Sequence, residues 1–396
     1  MRIAIDAHSV GTGLAGNESY ATNLIEALAA IDHTNEYTLY VTKKEAVERF
    51  SDRWPNFHVR RTLPHAPLIR IPLVLSSELR KRPVDVLHVQ FTAPPIAPCP
   101  VVVSIHDLSF EHLPETFNRR SRMQLRLTVR HSARKAARLI SLSEHGRADL
   151  IATYKLSPDV VDVIPLAPSA RFKPSSSSEV EAVKRMYGIE GDYILAVGSI
   201  QPRKNLSRLI AAYSRLRTSW SKGKLPQLVL VGKRAWLYHE TLRTIANCGV
   251  QDSVILTGYV PESQLPALYS GALLFVYPSF FEGFGLPPLE AMKCGTAVIV
   301  GDRTSLPEVV GDAALLIDPF DTDSLRSGIA RLLDDADYRN ELCVKGLRRA
   351  EEFNWQNTAR LTLDVYRKAV GVPLVHEGSS TKAVSQSSAK YRHNFE

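Results

Sequence analysis

Cysteine is scarce: 396 residues hold four, Cys99, Cys248, Cys294 and Cys343, widely spaced and with no CxxC pair. That spacing speaks against a structural zinc site or a disulfide scaffold and for a reducing, cytosolic setting. Long apolar runs are missing as well. A bilayer-spanning helix needs about 20 apolar residues, whereas ALLFVYP and TAVIV are only strand-sized. The N-terminal MRIAIDAHSV has one basic residue and no small-residue cleavage site, so it does not read as a signal peptide. With 21 glycines and 24 prolines the chain is neither collagen-like nor low-complexity. No repeat of roughly 20–50 residues is evident, which excludes solenoids and propellers. Acids are outnumbered, 41 against 49 Lys and Arg, for a net charge of +8. That balance favours anionic partners (phosphates, acidic lipid or nucleic acid) without choosing among them.

What is present is an alternation of short β-branched runs with longer helical patterns, the sign of parallel α/β architecture. RIAIDA (2–7) is followed by the turn GTGLAG (11–16) and an amphipathic helix over about 18–30. Strand-like runs recur at 37–42, 84–90, 101–107, 138–143 and 160–165. A second series occupies 193–199, 227–233, 253–260, 273–279 and 297–302. PSARFKPSSSSEVEA (168–182), rich in Pro and Ser, reads as the linker between two doubly wound halves. The expected domains are 1–170 and 171–354, with a helix at 355–370 packing back towards the first domain and a disordered tail at 371–396.

The densest chemistry lies in SFFEGFGLPPLEAMKCGTAVIV (279–300), where seven residues separate Glu282 from Glu290. Gly283 and Gly285 let backbone approach a ligand. Prolines 287 and 288 suit a first helical turn, whose free N–H groups can meet phosphate. Glu290, about one turn in, can accept from a ribose diol. In AVGSIQPRKNL (196–206), Arg203 and Lys204 precede a helix and suit a diphosphate. His106 and Asp107 close the run VVVSIHD and so belong at the carboxyl edge of a sheet, where open α/β folds bind ligands. Gly11, Gly13 and Gly16 spell G-x-G-x-x-G, but Asp32 precedes a strand instead of ending one. A dinucleotide site does not follow.

FEGFGLPPLEAM resembles the paired-glutamate motif of retaining glycosyltransferases with the GT-B fold, in the large family 4. AVGSIQPRKNL resembles that family's phosphate-binding segment, with Ser199 where many members carry another arginine. VGKRAW (231–236) and TGYVPESQLPALY (257–269) match the loops that hold the nucleotide base. GTGLAGNESYATNLIEAL resembles its glycine loop, and VVVSIHDLSFEHLPETF the His-Asp motif of its mannosyltransferase-like members.

The resemblance covers roughly residues 2–370 and implies two Rossmann-like domains facing a central cleft, the first (1–170) receiving the acceptor and the second (171–354) binding the nucleotide sugar. It implies His106, Asp107 and Glu282 as catalytic residues. Donor binding is expected from Gly16, Arg203, Lys204, Gly232, Lys233, Tyr259, Val260, Gly283, Phe284, Gly285, Leu286 and Glu290. The expected reaction is retaining hexosyl transfer, mannose slightly favoured, to a glycan or lipid-linked acceptor in cell-surface polysaccharide synthesis. The nucleotide-diphosphate sugar is a co-substrate, so no cofactor is expected. No DxD-type motif calls for a metal. The alternatives are a sugar-nucleotide epimerase of the same fold and a non-catalytic nucleotide-sugar-binding regulator.

RRSRMQLRLTVRHSARKAAR (119–138) carries seven arginines and a lysine with no acid, and Arg122, Arg126, Arg130, Arg134 and Arg138 recur every four residues. The stripe is either a solvated face or a contact with anionic lipid. The protein is expected in the cytoplasm, peripherally on the inner membrane face if the stripe meets lipid. Nucleic acid is not an expected partner, since no aromatics interleave with the arginines.

Overall fold

A computed structural model describes residues 1–13 and 15–373. The tail expected to be disordered lies, from residue 374 onward, outside the described residues. The first half folds into β1 (Arg2–Asp6), β2 (Glu36–Val41), β3 (Phe57–Arg61), β4 (Val86–Gln90), β5 (Val101–Ser104), β6 (Arg138–Ser141) and β7 (Val161–Val163). The second half supplies β8 (Tyr193–Val197), β9 (Gln227–Val231), β10 (Val254–Gly258), β11 (Leu274–Tyr277), β12 (Ala297–Gly301) and β13 (Leu315–Ile317). β4, β5, β9, β11 and β12 are buried along their whole length. Helices cover both faces of a parallel sheet, and continuous Val, Ile and Leu runs satisfy that geometry.

The two sheets run β3-β2-β1-β4-β5-β6-β7 and β10-β9-β8-β11-β12-β13, and every strand pair is parallel, with Ile3 beside Tyr37 and Tyr193 beside Gln227. Strand order reverses between β1 and β4 and again between β8 and β11. Ligand crevices of open α/β sheets lie at such points, outside the carboxyl ends of the strands. The glycine loop follows β1, Arg203 and Lys204 follow β8, and Glu282 follows β11.

Two expectations need correction. The linker reading of 168–182 ran too far, because a helix starts at Ser177. Ser176 and Glu179 form a reciprocal capping box there, and S-x-x-E is a helix-start signal that the Ser-rich composition obscured. The strand expected over 101–107 ends at Ser104, so His106 and Asp107 stand on the loop just past the carboxyl edge of the sheet, the edge to which the sequence assigns them.

The helix Trp355–Ala369 packs against the helix Ala15–Ile31 of the first half. Its buried face is Thr358, Ala359, Thr362, Leu363, Val365 and Tyr366, a helical spacing in which each buried aliphatic side chain contributes roughly 1.5–3 kcal/mol. Two hydrogen bonds fix its register: the Thr358 hydroxyl donates to the Pro165 carbonyl at 2.7 Å, and the Tyr366 hydroxyl meets His88 Nδ1 at 2.6 Å. The chain therefore crosses from the first half to the second and returns.

Candidate active site

Arg203 and Lys204 sit on a single 3-10 turn, Pro202–Lys204. Asn205 ends it in the left-handed conformation (φ 58°), which asparagine tolerates better than most residues. Its side-chain amide donates to the carbonyls of Pro278 (3.0 Å) and Pro319 (2.7 Å), pinning the turn to the loops after β11 and β13. Both cations thereby point at Glu282. Arg203 Nη1 donates to Glu282 Oε2 at 2.8 Å and to the Phe281 carbonyl at 2.5 Å. Lys204 Nζ donates to Glu282 Oε1 at 2.7 Å and to the Tyr277 hydroxyl.

Burial opposes ionisation of Glu282, but Arg203 and Lys204 outweigh it and hold the carboxyl at about 2. Burial lowers Lys204 from its ordinary value, with Glu282 acting against it. Two cations against one anion leave the triad one positive charge, so it still attracts a diphosphate. The main chain around Glu282 is fixed too. Its N–H donates to Thr304 Oγ1 at 3.1 Å, and the Ser305 hydroxyl donates to the carbonyls of Glu282 (2.8 Å) and Phe284 (3.0 Å).

The first half closes over this site. The Ser143 hydroxyl donates to the Gly283 carbonyl at 2.9 Å, and Gly283 lies so close to the His106 carbonyl that a β-carbon would overlap it. His106 Nδ1 is 3.1 Å from Asn17 Oδ1, and its ring packs on Tyr20 and Phe91 at 4.7 and 5.1 Å between centroids. Burial lowers His106 to about 4, against a small pull from Asp107, so the imidazole is neutral. An amide oxygen only accepts, so the proton sits on Nδ1. Nε2, buried and without a partner among the described residues, is left as an acceptor. Asp107 Oδ1 accepts from the Ser109 N–H (2.9 Å) and hydroxyl (2.6 Å). It borders a narrow crevice shared with His145, Phe281, Glu282 and Gly283.

The loops after β8, β9 and β10 are zipped together. The Gly198 N–H donates to the Val231 carbonyl and the Gly232 N–H to the Gly258 carbonyl, both at 2.9 Å. A β-carbon at Gly232 would overlap the Gly198 carbonyl, so this packing requires glycine. Lys233 Nζ lies 4.5 Å from the Tyr259 ring centre and beside Gly13 of the glycine loop. Tyr259 is 62% exposed, while Val260 is 4% exposed and offers a ligand only its backbone.

Four further expected donor residues stand as follows. Phe284 is buried against Phe353. Leu286 opens the helix Leu286–Lys293. Glu290 Oε2 accepts from the Tyr269 hydroxyl at 2.9 Å, and burial raises its carboxyl to about 7 although that bond pulls it down. Around Gly16 a β-carbon would meet nothing within 4 Å among the described residues. The N–H groups of Gly11 and Gly13 donate to Glu18 at 2.8 and 2.7 Å.

Asn17, Tyr277, Tyr269, Thr304 and Ser305 belong to the site as supports; Asn17 and Tyr269 lie within the quoted motif segments, but none of the five was singled out by residue type. The basic stripe is also redrawn. Arg122 Nε donates to the Phe110 carbonyl at 2.9 Å and Arg126 pairs with Glu111 at 2.7 Å. Met123 and Leu127 are exposed instead, next to Arg119, Arg120, Arg130, Arg134 and Lys135. Among the described residues, no three of His, Cys, Asp and Glu are grouped so as to hold a metal ion, and no helix is long and apolar enough to cross a membrane.

Residues 15–167 match the family described as Glycosyltransferase Family 4, and residues 183–347 match Glycosyl transferases group 1. O-antigen chain mannosyltransferase B of Escherichia coli is 36% identical over 67% of this chain and 70% of its own. Serotype-specific mannosyltransferase WbdA of Escherichia coli is 32% identical over 59% of this chain, a match that spans only 29% of that longer protein. Sucrose-phosphate synthase from Thermosynechococcus elongatus superposes with a TM-score of 0.75 at 20% identity, over 94% of this chain and 99% of that one. The chain belongs to glycosyltransferase family 4 and is a glycosyltransferase of GT-B fold.

Proposed function

We propose that this glycosyltransferase moves a hexose, mannose favoured, with retention of anomeric configuration. The donor is a nucleotide-diphosphate sugar, with GDP-mannose slightly preferred, and the acceptor a glycan or lipid-linked glycan of cell-surface polysaccharide synthesis. The observation that carries this reading is Glu282 held at 2.7 and 2.8 Å between Lys204 and Arg203, with the adjacent Gly283 set against the His106 carbonyl across the cleft. The mannosyltransferase relatives support the sugar, and O-antigen synthesis in one of them supports the setting.

In this scheme Arg203 and Lys204 stabilise the negative charge that grows on the leaving diphosphate, the kind of electrostatic term that dominates much transfer chemistry. Glu282 and His106 Nε2 accept from sugar hydroxyls on opposite sides of the anomeric carbon, and Asp107 borders the same centre. Lys233, Tyr259 and the backbones of Gly232 and Val260 face the base. Gly283, Gly285, Leu286 and Gly16 bring backbone N–H groups to the phosphates, and Glu290 takes the ribose. The departing phosphate accepts the acceptor's proton on the same face. The cation pair performs the charge stabilisation without a metal or a cofactor.

The exposed Met123 and Leu127, amid arginines that pair with no acid among the described residues, support peripheral contact of 119–138 with an anionic membrane at its cytoplasmic face. Nucleic acid has no part in the scheme. A thermal-shift panel of GDP- and UDP-sugars identifies the donor, because a ligand bound only by the folded state stabilises it by mass action. NMR of the product then reads the anomeric configuration. An inverted product, or donor hydrolysis or epimerisation alone, would contradict the proposal.

A further inference from the structure

A second charged cluster stands at the cleft edge of the first sheet, away from Glu282. Arg70 grips Asp6 with two parallel hydrogen bonds of 2.8 and 2.9 Å, and both side chains are withdrawn from solvent. Burying such a pair costs hydration that the mutual attraction often only just offsets, so stability alone does not explain it. Arg70 opens a π-helical turn, Arg70–Leu75, an irregularity found mainly at functional sites. Its Nε is buried without a partner among the described residues.

Above this pair lie three basic residues, each just past the carboxyl end of one of three adjacent strands. His8 follows β1, with Nδ1 3.2 Å from Asp6 Oδ2. Lys43 follows β2 and packs beside Gly11. His65 follows β3, with Nδ1 2.8 Å from Thr42 Oγ1 and its ring centre 6.3 Å from that of His8. The Thr42 hydroxyl in turn donates to the His8 carbonyl. Of the acids nearby, Asp6 is taken by Arg70, Glu18 by the glycine-loop N–H groups, and Glu45 approaches Gly11 beside Lys43. His65 reports the balance. Burial lowers its pKa, and His8, Lys43 and Arg70 lower it further against Asp6 alone.

We propose that His8, Lys43 and His65, floored by the Arg70–Asp6 pair, form a subsite for a phosphate carried by the acceptor. The acceptor is then a phosphorylated or phosphate-linked molecule and not a neutral glycan. This rests on the reading that the first half receives the acceptor. Leu63, Leu68, Ile69 and Leu73, on the segment that bears His65 and Arg70, are exposed, so hydrocarbon attached to such a phosphate has a surface beside it. A lipid phosphate and a soluble sugar phosphate share the chemistry, and the experiment separates them.

The imidazole signals of His8 and His65 are followed by NMR in the full chain, with and without GDP or UDP at the donor site. Inorganic phosphate, short-chain dihexanoyl phosphatidic acid and uncharged dihexanoylglycerol are titrated in turn. Phosphate is expected to shift both signals to saturation and to raise the titration midpoint of His65, while the exposed His131 stays put. Lys43→Gln, a change near the surface, should weaken phosphate about tenfold by removing one charge-assisted contact. Phosphatidic acid binding at least about tenfold tighter than phosphate identifies a lipid acceptor, and equal binding a soluble one. Unmoved His8 and His65 signals, or shifts indifferent to Lys43→Gln, overturn the subsite. A protein that bound no nucleotide would instead overturn the donor assignment, leaving the nucleotide-free titration to decide the subsite.

Discussion

Gly283 and His106 meet backbone to backbone across the cleft, and the space between them admits no β-carbon. The residue after the donor-side glutamate is thus also the contact that brings the two halves together. Gly283→Ala should force them apart at the reacting centre, whereas the base-facing loops lie within the second half and alanine keeps the N–H offered to the phosphates. Turnover is expected to fall about a hundredfold, the cost of a misplacement near 1 Å, with nucleotide affinity almost unchanged. Steady-state kinetics beside calorimetric titration check this, and a parallel loss of nucleotide binding would contradict it.

The two glutamates should separate by mutation. Glu282→Gln keeps the shape but frees both cations, so nucleotide-diphosphate affinity should hold or rise. Transfer should drop by about 10²–10³-fold as a sugar contact is lost. Glu290→Gln should weaken the nucleotide itself by about tenfold. The reverse pattern would show the two roles to be exchanged.

Glu290 also predicts a pH dependence with a definite sign. Its carboxyl is raised to about 7 in the folded chain from an ordinary 4.5, so between those values the native state holds a proton that the unfolded chain has released. Stability from this group is complete below pH 4.5 and is lost as pH rises through 7. Unfolding curves of the wild type minus those of Glu290→Gln should therefore decline across that window and level off above it. A flat difference would place Glu290 in an ordinary, solvated setting.

Much of the fold was legible because buried parallel strands write themselves as Val-Ile-Leu runs, as in QLVLV and AVIVG. FHVRR was missed because its exposed positions carry Arg and His, and β13 because its three residues, LLI, include a single β-branched side chain. Within the site, Glu282, Arg203 and Lys204 could be picked out by residue type and position, but not their mutual grip. A sequence does not reveal which of two neighbouring polar groups pair across 78 residues. The same holds for Asn17 and His106, 89 residues apart. Arginines every four residues suggested one free stripe, yet helix packing turned Arg122 and Arg126 onto Phe110 and Glu111.

That redrawn stripe sets a membrane prediction. Co-sedimentation with liposomes should rise with acidic lipid and fall with salt, because surface attraction is screened within about 8–10 Å at physiological ionic strength. Replacing Arg119, Arg120, Arg130 and Arg134 with Gln removes about 1 kcal/mol of attraction apiece and should release most of the bound protein. Replacing Arg122 and Arg126 should release far less. Equal binding to neutral and acidic vesicles would return the helix to a plain solvated face.

The central claim is that Lys204 and Arg203, poised on Glu282, receive the diphosphate of a nucleotide sugar. Lys204→Ala tests it most directly, by calorimetric titration with GDP, UDP and their nucleosides. Loss of one charge-assisted contact predicts at least about a tenfold weaker diphosphate and an unchanged nucleoside. Equal losses for both, or none for either, would contradict the account.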